Sequence, residues 1–320
     1  MISRQSAVAK SLRTNFSPTW RDHAGRLRLR ARQAVHLPAL LAGGSLERPI
    51  FIVGAPRSGT SLLFSILRVS PHLGHWPGEA HEVWEASHHP IVHGRESNVL
   101  EASDATPEVA RRIRRSFFLV TGRSKRLIEK SPRNSLRLPF VDAIFPDAHY
   151  VYLKRDGRDN VSSLINAWRT TRYRTYRLPE GHAIPGVDPA WWKFILYPGW
   201  KDDLEGPLEL VCARQWRAAN EGVMRSVASI DESRHTSLRY EDLVERPAEE
   251  IGRLVARLGF PFDHEVRARA ESAGLTPVNV VTPPERGKWR RENPKEIAAL
   301  RPLIEPMMEE MGYGRYDDFG

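Results

Sequence analysis

The chain has 320 residues, of which 41% are hydrophobic and 27% are charged, a composition typical of a folded globular protein and not of a disordered one. Its formal net charge of +9 favours anionic partners such as nucleotides, nucleic acid or a membrane surface. The single cysteine excludes an internal disulfide framework and a zinc–thiolate cluster. Because no apolar run is long enough for a membrane span and the N-terminus lacks a secretory signal, we expect a cytoplasmic protein.

Residues 1–46 are predicted to form a basic N-terminal arm. Four arginines alternate through its segment RLRLRARQ: Arg26, Arg28, Arg30 and Arg32. A solvated or docking helix is expected here, while a peripheral membrane contact or a nucleic-acid contact is the alternative. The rest of the chain, residues 47–320, is predicted to be the main domain.

An anion-binding turn is predicted directly after the arm. The apolar run PIFIV leads into GAPRSGTSLL, residues 54–63, which indicates a strand, a tight glycine-bearing turn and the start of a helix. Backbone amides of such a turn, together with the helix dipole, bind phosphate-like groups. The candidate anion ligands are Arg57, Ser58, Gly59, Thr60 and Ser61. The turn GxxxxGK[ST] of nucleoside-triphosphate-binding proteins is not reproduced, since Thr60 stands where its lysine belongs.

Further along the chain, apolar runs alternate with helical patterns. Strands are predicted at residues 125–131, 148–155 and 235–243, with one helix running through Trp168 and another over EEIGRLVARLGF. Continuous hydrophobicity in IFIV and YVYL indicates strands that are covered on both faces. The predicted fold class is therefore α/β, a P-loop-like doubly wound parallel sheet flanked by helices, with ligand groups at the carboxyl ends of the strands.

The alternation breaks at about residues 169–206. Aromatic residues stand there among prolines and glycines: Tyr173, Tyr176, Trp191, Trp192, Phe194, Tyr197 and Trp200. An insertion of this length is typical of a lid or an acceptor pocket. Packing of these aromatic rings onto the sheet is the alternative.

A second candidate anion site follows the strand at residues 148–155. In YLKRDGRDNVSS, Arg155 closes the strand and Ser163 lies about one turn into the next helix. Asp159 or Asn160 is expected to cap that helix. Arg155 and Ser163 are therefore predicted to converge on a second phosphate.

The third candidate segment is VVTPPERGKWRRENP, which leads to a predicted helix start around Pro294. It combines a flexible turn with cations and an indole suited to stacking on a base. Its candidate ligand residues are Arg286, Gly287, Lys288 and Trp289. A solvated charge run is the alternative.

Taken in order, these segments resemble those of the PAPS-dependent sulfotransferases, whose donor is 3′-phosphoadenosine 5′-phosphosulfate (PAPS). The resemblance covers most of residues 49–313 and is carried by GAPRSGTSLL, KRDGRDNVSS, LRYEDLVERP and RGKWRRENP. Arg57, where many cytosolic members have lysine, resembles the carbohydrate and tyrosylprotein branches. The family resemblance implies PAPS as donor, adenosine 3′,5′-bisphosphate as product, and a hydroxyl acceptor on a carbohydrate, a phenol or a lipid-linked glycan.

The resemblance also implies roles for individual residues. The turn from Arg57 to Ser61 would hold the 5′-phosphosulfate, and Arg155 with Ser163 would hold the 3′-phosphate. Tyr240 would lie near the adenine, and the segment from Arg286 to Trp289 would close over the nucleotide.

Two further residues would carry the chemistry. Glu79, in HWPGEAHEVWE, resembles the family's glutamate base, and Lys130, in IEKSP, resembles the lysine that stabilises the leaving oxygen. Sulfuryl transfer then depends on orientation and electrostatic stabilisation, with no metal required.

Histidines crowd residues 72–93, which raises the question of a metal site: His72, His75, His81, His88, His89 and His93. HEVWE is not the zinc-binding motif HExxH, so surface or acceptor-pocket positions are expected. His75 or His81 remains an alternative base to Glu79. Two other functions stay open on the residues alone, a P-loop kinase or NTPase and a non-enzymatic nucleic-acid-binding protein.

Overall fold

The structure is a computed structural model that describes residues 23–178, 184–272 and 286–313. Its strands are β1 Ile50–Val53, β2 Leu73–His75, β3 Arg126–Lys130, β4 His149–Lys154, β5 Tyr176–Arg177, β6 Trp191–Trp192 and β7 His235–Arg239. Five of them form one parallel sheet in the order β2–β3–β1–β4–β7, and β5 pairs with β6 in an antiparallel hairpin. The predicted doubly wound α/β fold is confirmed, with the short strand β2 as an element that the sequence did not indicate.

Thirteen α-helices lie in the described part of the chain. They are α1 His23–Leu41, α2 Thr60–Leu67, α3 His81–Trp84, α4 Pro107–Thr121, α5 Leu138–Ile144, α6 Gly157–Arg169, α7 Leu208–Val227, α8 Tyr240–Glu245, α9 Pro247–Leu258, α10 His264–Glu271, α11 Trp289–Glu292, α12 Pro294–Ala299 and α13 Arg301–Glu310. Within the described ranges, no helix is both long and apolar enough to cross a membrane.

The central strands are buried on both faces because successive side chains of a strand point in opposite directions. Phe51 and Val53 of β1 belong to a core formed with α4 and α5. Ile50 and Ile52 belong to a core on the other face, formed with α2, α9 and α10. All four side chains are fully buried, as the unbroken apolar pattern predicted.

The segment at residues 169–206 packs against α6 and α7 over most of its described length. Four of its aromatic side chains are buried in that core: Tyr176, Trp192, Tyr197 and Trp200. The ammonium group of Lys193 donates to the carbonyls of Trp168 and Thr170, and Gln215 of α7 donates to the carbonyl of Lys193 at 2.8 Å. Tyr173 and Phe194 are only half-buried, and their rings contact each other in a tilted arrangement with centroids 5.1 Å apart.

Helix α1 is the described part of the basic arm, and it packs against α4. The ring of His36 lies so close to Gly122, at the end of α4, that a Cβ at that glycine would be 2.5 Å from the ring. Residues 1–22 of the predicted arm and residues 179–183 of the predicted insertion lie outside the described residues.

Candidate active site

The turn between β1 and α2 has the backbone geometry of an anion-binding loop. Gly59 is the N-cap of α2 with φ of 98°, a left-handed conformation that glycine adopts without strain. A Cβ at this position would lie 2.3 Å from the ring of Tyr240, which follows β7. Glycine is therefore required twice here, by its conformation and by the approach of Tyr240. The amides at the start of α2 point out of the carboxyl edge of the sheet, where an anion is stabilised.

Arg57 lies in the middle of this turn and connects it to two other elements. Its Nη1 donates to the hydroxyl of Tyr173 at 2.9 Å, and its Nε donates to Oγ of Ser163 in α6 at 3.4 Å. Burial lowers the pKa of the guanidinium, which nevertheless stays protonated at neutral pH. The structure thus joins the predicted first and second anion sites through one arginine.

Arg155, at the end of β4, lies beside the same turn. Its Nη1 donates to the carbonyl of Arg57 at 2.8 Å, and its guanidinium lies 4.5 Å from the ring centroid of Tyr240. Its Nε is buried and has no hydrogen-bond partner among the described residues, as is also true of Oγ of Ser58. Buried donors without partners carry a desolvation cost, and an anionic ligand would satisfy them.

Lys130 and Glu79 meet on the opposite side of the turn, at the carboxyl end of β3. The ammonium group of Lys130 donates to Oγ of Ser61 at 3.0 Å and forms an ion pair with Glu79. The other carboxylate oxygen of Glu79 lies 2.7 Å from Nε2 of His81, and Nδ1 of His81 lies 3.4 Å from the hydroxyl of Ser131. A continuous chain of contacts therefore runs from the turn to the carboxylate.

The pKa values of this pair follow from its surroundings. Burial raises the pKa of Glu79, but the charge of Lys130 and the hydrogen bond from His81 outweigh it, so the net shift is downward. The pKa of His81 is lowered by burial and by the charge of Arg133. A neutral His81 that donates from Nε2 and accepts at Nδ1 fits both of its contacts.

A buried ion-pair network supports the segment that carries His81. Glu85 accepts from Nη1 of Arg133 at 2.7 Å and from the hydroxyl of Tyr176 at 2.9 Å. That hydroxyl in turn accepts from Nδ2 of Asn98 at 2.7 Å. Burial raises the pKa of Glu85, but the charges of Arg133 and Arg137 prevail and lower it to about 2. The network ties the Glu79 side of the site to the β5–β6 hairpin.

Neither Asp159 nor Asn160 caps α6, although the sequence suggested one of them. The N-cap is Asp156, whose carboxylate accepts from the amide of Arg158 at 2.9 Å. Asp159 lies in the first turn of α6 and accepts instead from the amides of Gly287 at 2.8 Å and Trp289 at 3.2 Å. It therefore attaches the C-terminal segment to the helix that begins after Arg155.

In the C-terminal segment from Arg286 to Trp289, the indole is buried, whereas the arginine is exposed and the lysine is paired with a carboxylate. Arg286 is exposed, and the ammonium group of Lys288 lies 3.1 Å from the carboxylate of Glu292. Trp289 is only 2% exposed and belongs to the core against α6 and α7, so its indole does not present an open stacking surface here. The helix expected around Pro294 is present as α12. Residues 280–285 of the predicted loop lie outside the described residues.

The crowded histidines take separate positions. His75 makes a hydrogen bond with the carbonyl of Trp76 at 2.9 Å and does not contact Glu79, whereas His81 does. Within residues 23–178, 184–272 and 286–313, no three His, Cys, Asp or Glu side chains are grouped so as to hold a metal ion. Of the two alternative bases, only His81 lies in the described site.

Two site residues escaped the sequence patterns. Tyr173 contacts Arg57 from an insertion that carried only a general aromatic signal, and Asp159 was interpreted as a local cap. Both contacts join residues more than 100 positions apart and leave no local sequence motif. They could therefore not be inferred from the sequence.

Comparison with known proteins identifies the protein family of this chain. A model of the sulfotransferase family matches residues 49–264. Protein-tyrosine sulfotransferase A of Caenorhabditis elegans is 26% identical over 291 residues, which is 82% of this chain and 67% of that protein. The protein-tyrosine sulfotransferase of Drosophila melanogaster is 24% identical over 291 residues, which is 83% of this chain and about half, 52%, of that protein. The solved sulfotransferase domain from the curacin biosynthetic pathway shares the fold with a TM-score of 0.55 at 15% identity, over 85% of this chain and 100% of that domain.

The protein has an α/β fold with a cationic turn at the carboxyl edge of its parallel sheet. Since the family model matches more than half of the chain, the protein belongs to the sulfotransferase family. The resemblance inferred from the four sequence motifs is confirmed. The kinase and nucleic-acid-binding alternatives receive no support from these comparisons.

Proposed function

We propose that this sulfotransferase moves the sulfuryl group of PAPS to a phenolic hydroxyl, with Glu79 as the general base and Lys130 as the cation beside the leaving oxygen. The observation that carries the proposal is the chain of contacts from Ser61 through Lys130 to Glu79. In it, a carboxylate and an ammonium group lie side by side at the edge of the turn. These are the two groups that sulfuryl transfer to a hydroxyl requires.

The polar groups of the turn fit a bisphosphorylated sulfonate donor. The buried Nε of Arg155 and Oγ of Ser58, which have no partner among the described residues, can donate to such an anion, and Arg57 adds a second guanidinium. We assign the 5′-phosphosulfate to the turn from Arg57 to Ser61 and the 3′-phosphate to Arg155 and Ser163. We assign Tyr240, whose ring centroid lies 4.5 Å from the guanidinium of Arg155, to the contact with the adenine.

The same residues account for the electrostatic part of the reaction. PAPS supplies an activated sulfuryl group and an anionic leaving group when bound. As the new S–O bond to the acceptor forms, the electron pair of the breaking bond passes to the bridging oxygen. Arg57, Lys130 and the turn amides stabilise the negative charge that develops there.

Glu79 takes the proton of the acceptor hydroxyl. In the resting site its pKa is depressed mainly through Lys130, which would make it a weak base. When Lys130 interacts with the negative charge on the leaving oxygen, its ion pair with Glu79 weakens. The pKa of Glu79 therefore rises at the step in which Glu79 accepts the proton. His81, which donates to the second carboxylate oxygen, holds the carboxylate in orientation.

A phenol is the acceptor class that we favour among the hydroxyl compounds open from the sequence. The relatives from C. elegans and D. melanogaster are both named protein-tyrosine sulfotransferases, and the phenol of tyrosine is a better acid than an alcohol. Tyr173 and Phe194 add a half-buried aromatic pair next to Arg57, suited to contact an aromatic ring. A cytoplasmic location stays a prediction.

The test is turnover with labelled PAPS and a panel of tyrosyl peptides, simple phenols and glycans. We expect transfer to phenolic acceptors and, for Glu79→Gln, a loss of at least about 100-fold in turnover. Binding of adenosine 3′,5′-bisphosphate should persist in that variant. Glu245, exposed at the end of α8, provides the matched control, since Glu245→Gln makes the same chemical change on the protein surface.

Each part of the proposal has its own contrary result. Undiminished turnover by Glu79→Gln would remove Glu79 as the base, and loss of turnover in His81→Gln with Glu79→Gln active would transfer that role to His81. Transfer to glycans without transfer to any phenol would overturn the acceptor assignment. Failure of labelled PAPS to serve as donor to the whole panel would overturn the donor assignment.

A further inference from the structure

Helix α1 exposes an unusual amount of aliphatic surface. Its Leu27, Val35 and Leu41 are 69%, 71% and 78% exposed, the highest values among the large hydrophobic side chains of the described chain. The opposite face, with Leu29, contacts the body of the protein. The exposed positions 27, 31, 34, 35, 38 and 41 lie on one side of the helix and hold only Leu, Ala, Val and Pro. A stripe of this kind on a surface helix marks a contact with a partner.

Positive charge flanks this stripe. Arg28, Arg30 and Arg32 are exposed on α1, which has no acidic residue along its sequence HAGRLRLRARQAVHLPALL. The neighbouring α4 adds the exposed Arg111 and Arg115. A partner that fits this surface therefore has an apolar part for the aliphatic side chains and negative charges for the arginines beside them.

We propose that α1 docks this protein on the surface of an anionic lipid bilayer, lying in the headgroup region with its aliphatic stripe toward the acyl chains. Leucine and valine side chains enter the apolar boundary of a bilayer, while arginines beside them reach the phosphate and carboxylate groups of the lipids. A nucleic-acid backbone would satisfy the arginines but leave Leu27, Val35 and Leu41 in water.

A second copy of the chain fits the surface less well. A symmetric dimer through α1 places the same surface on both sides of the interface. The exposed arginines of one helix would then face those of the other, with no carboxylate on either helix to balance them. An anionic bilayer has no such conflict.

The position of α1 keeps the bilayer contact apart from catalysis. His36 packs at Gly122, in the connection that leads into the first residue of β3, Arg126. The amino ends of the parallel strands form the edge opposite the turn that carries Arg57. Changes on the exposed face of α1 should therefore leave turnover of a soluble acceptor intact.

The test is co-sedimentation of the full chain with lipid vesicles. We expect binding to vesicles that contain phosphatidylserine, little binding to phosphatidylcholine alone, and weaker binding as salt rises. The triple variant Arg28→Gln, Arg30→Gln, Arg32→Gln should bind on the order of 100-fold more weakly. Replacing the aliphatic stripe, through Leu27→Ser, Val35→Ser, Leu41→Ser, should weaken binding by about tenfold or more.

Matched controls separate this surface from general charge and hydrophobicity. Exposed aliphatic residues elsewhere provide one control triple, Val69→Ser, Ile91→Ser, Val244→Ser, and exposed cations provide another, Arg177→Gln, Arg225→Gln, Lys295→Gln. Both control proteins should bind vesicles like the unmodified chain, and all variants should keep their thermal unfolding midpoint.

Three results would overturn the proposal. One is equal binding to vesicles with and without phosphatidylserine, and another is vesicle binding that the α1 variants do not reduce. The third is a concentration-dependent dimer in sedimentation velocity that the Leu27→Ser, Val35→Ser, Leu41→Ser variant abolishes, which would assign the stripe to a second copy.

Discussion

Asp159 attaches the C-terminal segment to α6, and Asp159→Asn tests whether this attachment organises the donor site. Its carboxylate oxygens accept from the amides of Gly287 at 2.8 Å and Trp289 at 3.2 Å. Asparagine offers one oxygen and presents an N–H to the other donor, so one of the two charge-assisted bonds is lost. At about 1.5–3 kcal/mol for a hydrogen bond to a charged group, product affinity should fall by about 10- to 150-fold.

The assay is calorimetric titration with adenosine 3′,5′-bisphosphate. Asp263→Asn is the control, because Asp263 also accepts a backbone amide, that of Val266 at 2.9 Å, but caps α10. That control should lower the unfolding temperature and leave the affinity unchanged. An Asp159→Asn protein that binds the bisphosphate within about threefold of the unmodified chain would refute a role for this attachment in donor binding.

Three further predictions concern the turn and the core behind it. Gly59→Ala should lower the free energy of unfolding by about 1–3 kcal/mol and weaken bisphosphate binding. The new Cβ would clash with the ring of Tyr240, and alanine would be strained in the left-handed conformation of residue 59. Calorimetry that shows neither loss would contradict this. Arg155→Ala should weaken bisphosphate binding by about 10- to 150-fold, and unchanged affinity in the same titration would exclude Arg155 from the 3′-phosphate site. Burial raises the pKa of Glu129 from 4.5 to about 7, so the stability from its neutral form is fully present below about pH 4.5 and is lost as the pH rises through about 7. Glu129→Gln keeps an oxygen for the amide of Asn134. In urea unfolding, its free energy of unfolding should therefore rise by roughly 3 kcal/mol relative to that of the unmodified chain between about pH 4.5 and 7. A difference that does not depend on pH would count against this prediction.

The sequence by itself determined the sheet and the turn. Unbroken apolar runs at Ile50–Val53 and within residues 148–155 require cover on both faces, and the parallel sheet provides it. The glycine-bearing turn after β1 is a local feature, because backbone amides and a helix start lie within a few residues of one another. Four short motifs in order were enough to indicate the family, since each motif lies at the end of a predicted strand or beside a predicted helix.

Only the tertiary structure decided which side chains meet around that turn. The contact of Arg57 with Tyr173 joins residues 116 positions apart, and that of Lys130 with Glu79 joins residues 51 apart. Asp159, a capping residue by its local pattern, accepts amides 128 and 130 positions away, and the indole of Trp289 is buried instead of open to a base. Local patterns fix the backbone, but partners for buried donors and charges are chosen by the packing of distant elements, because an unpaired buried polar group is costly wherever its partner lies in the chain.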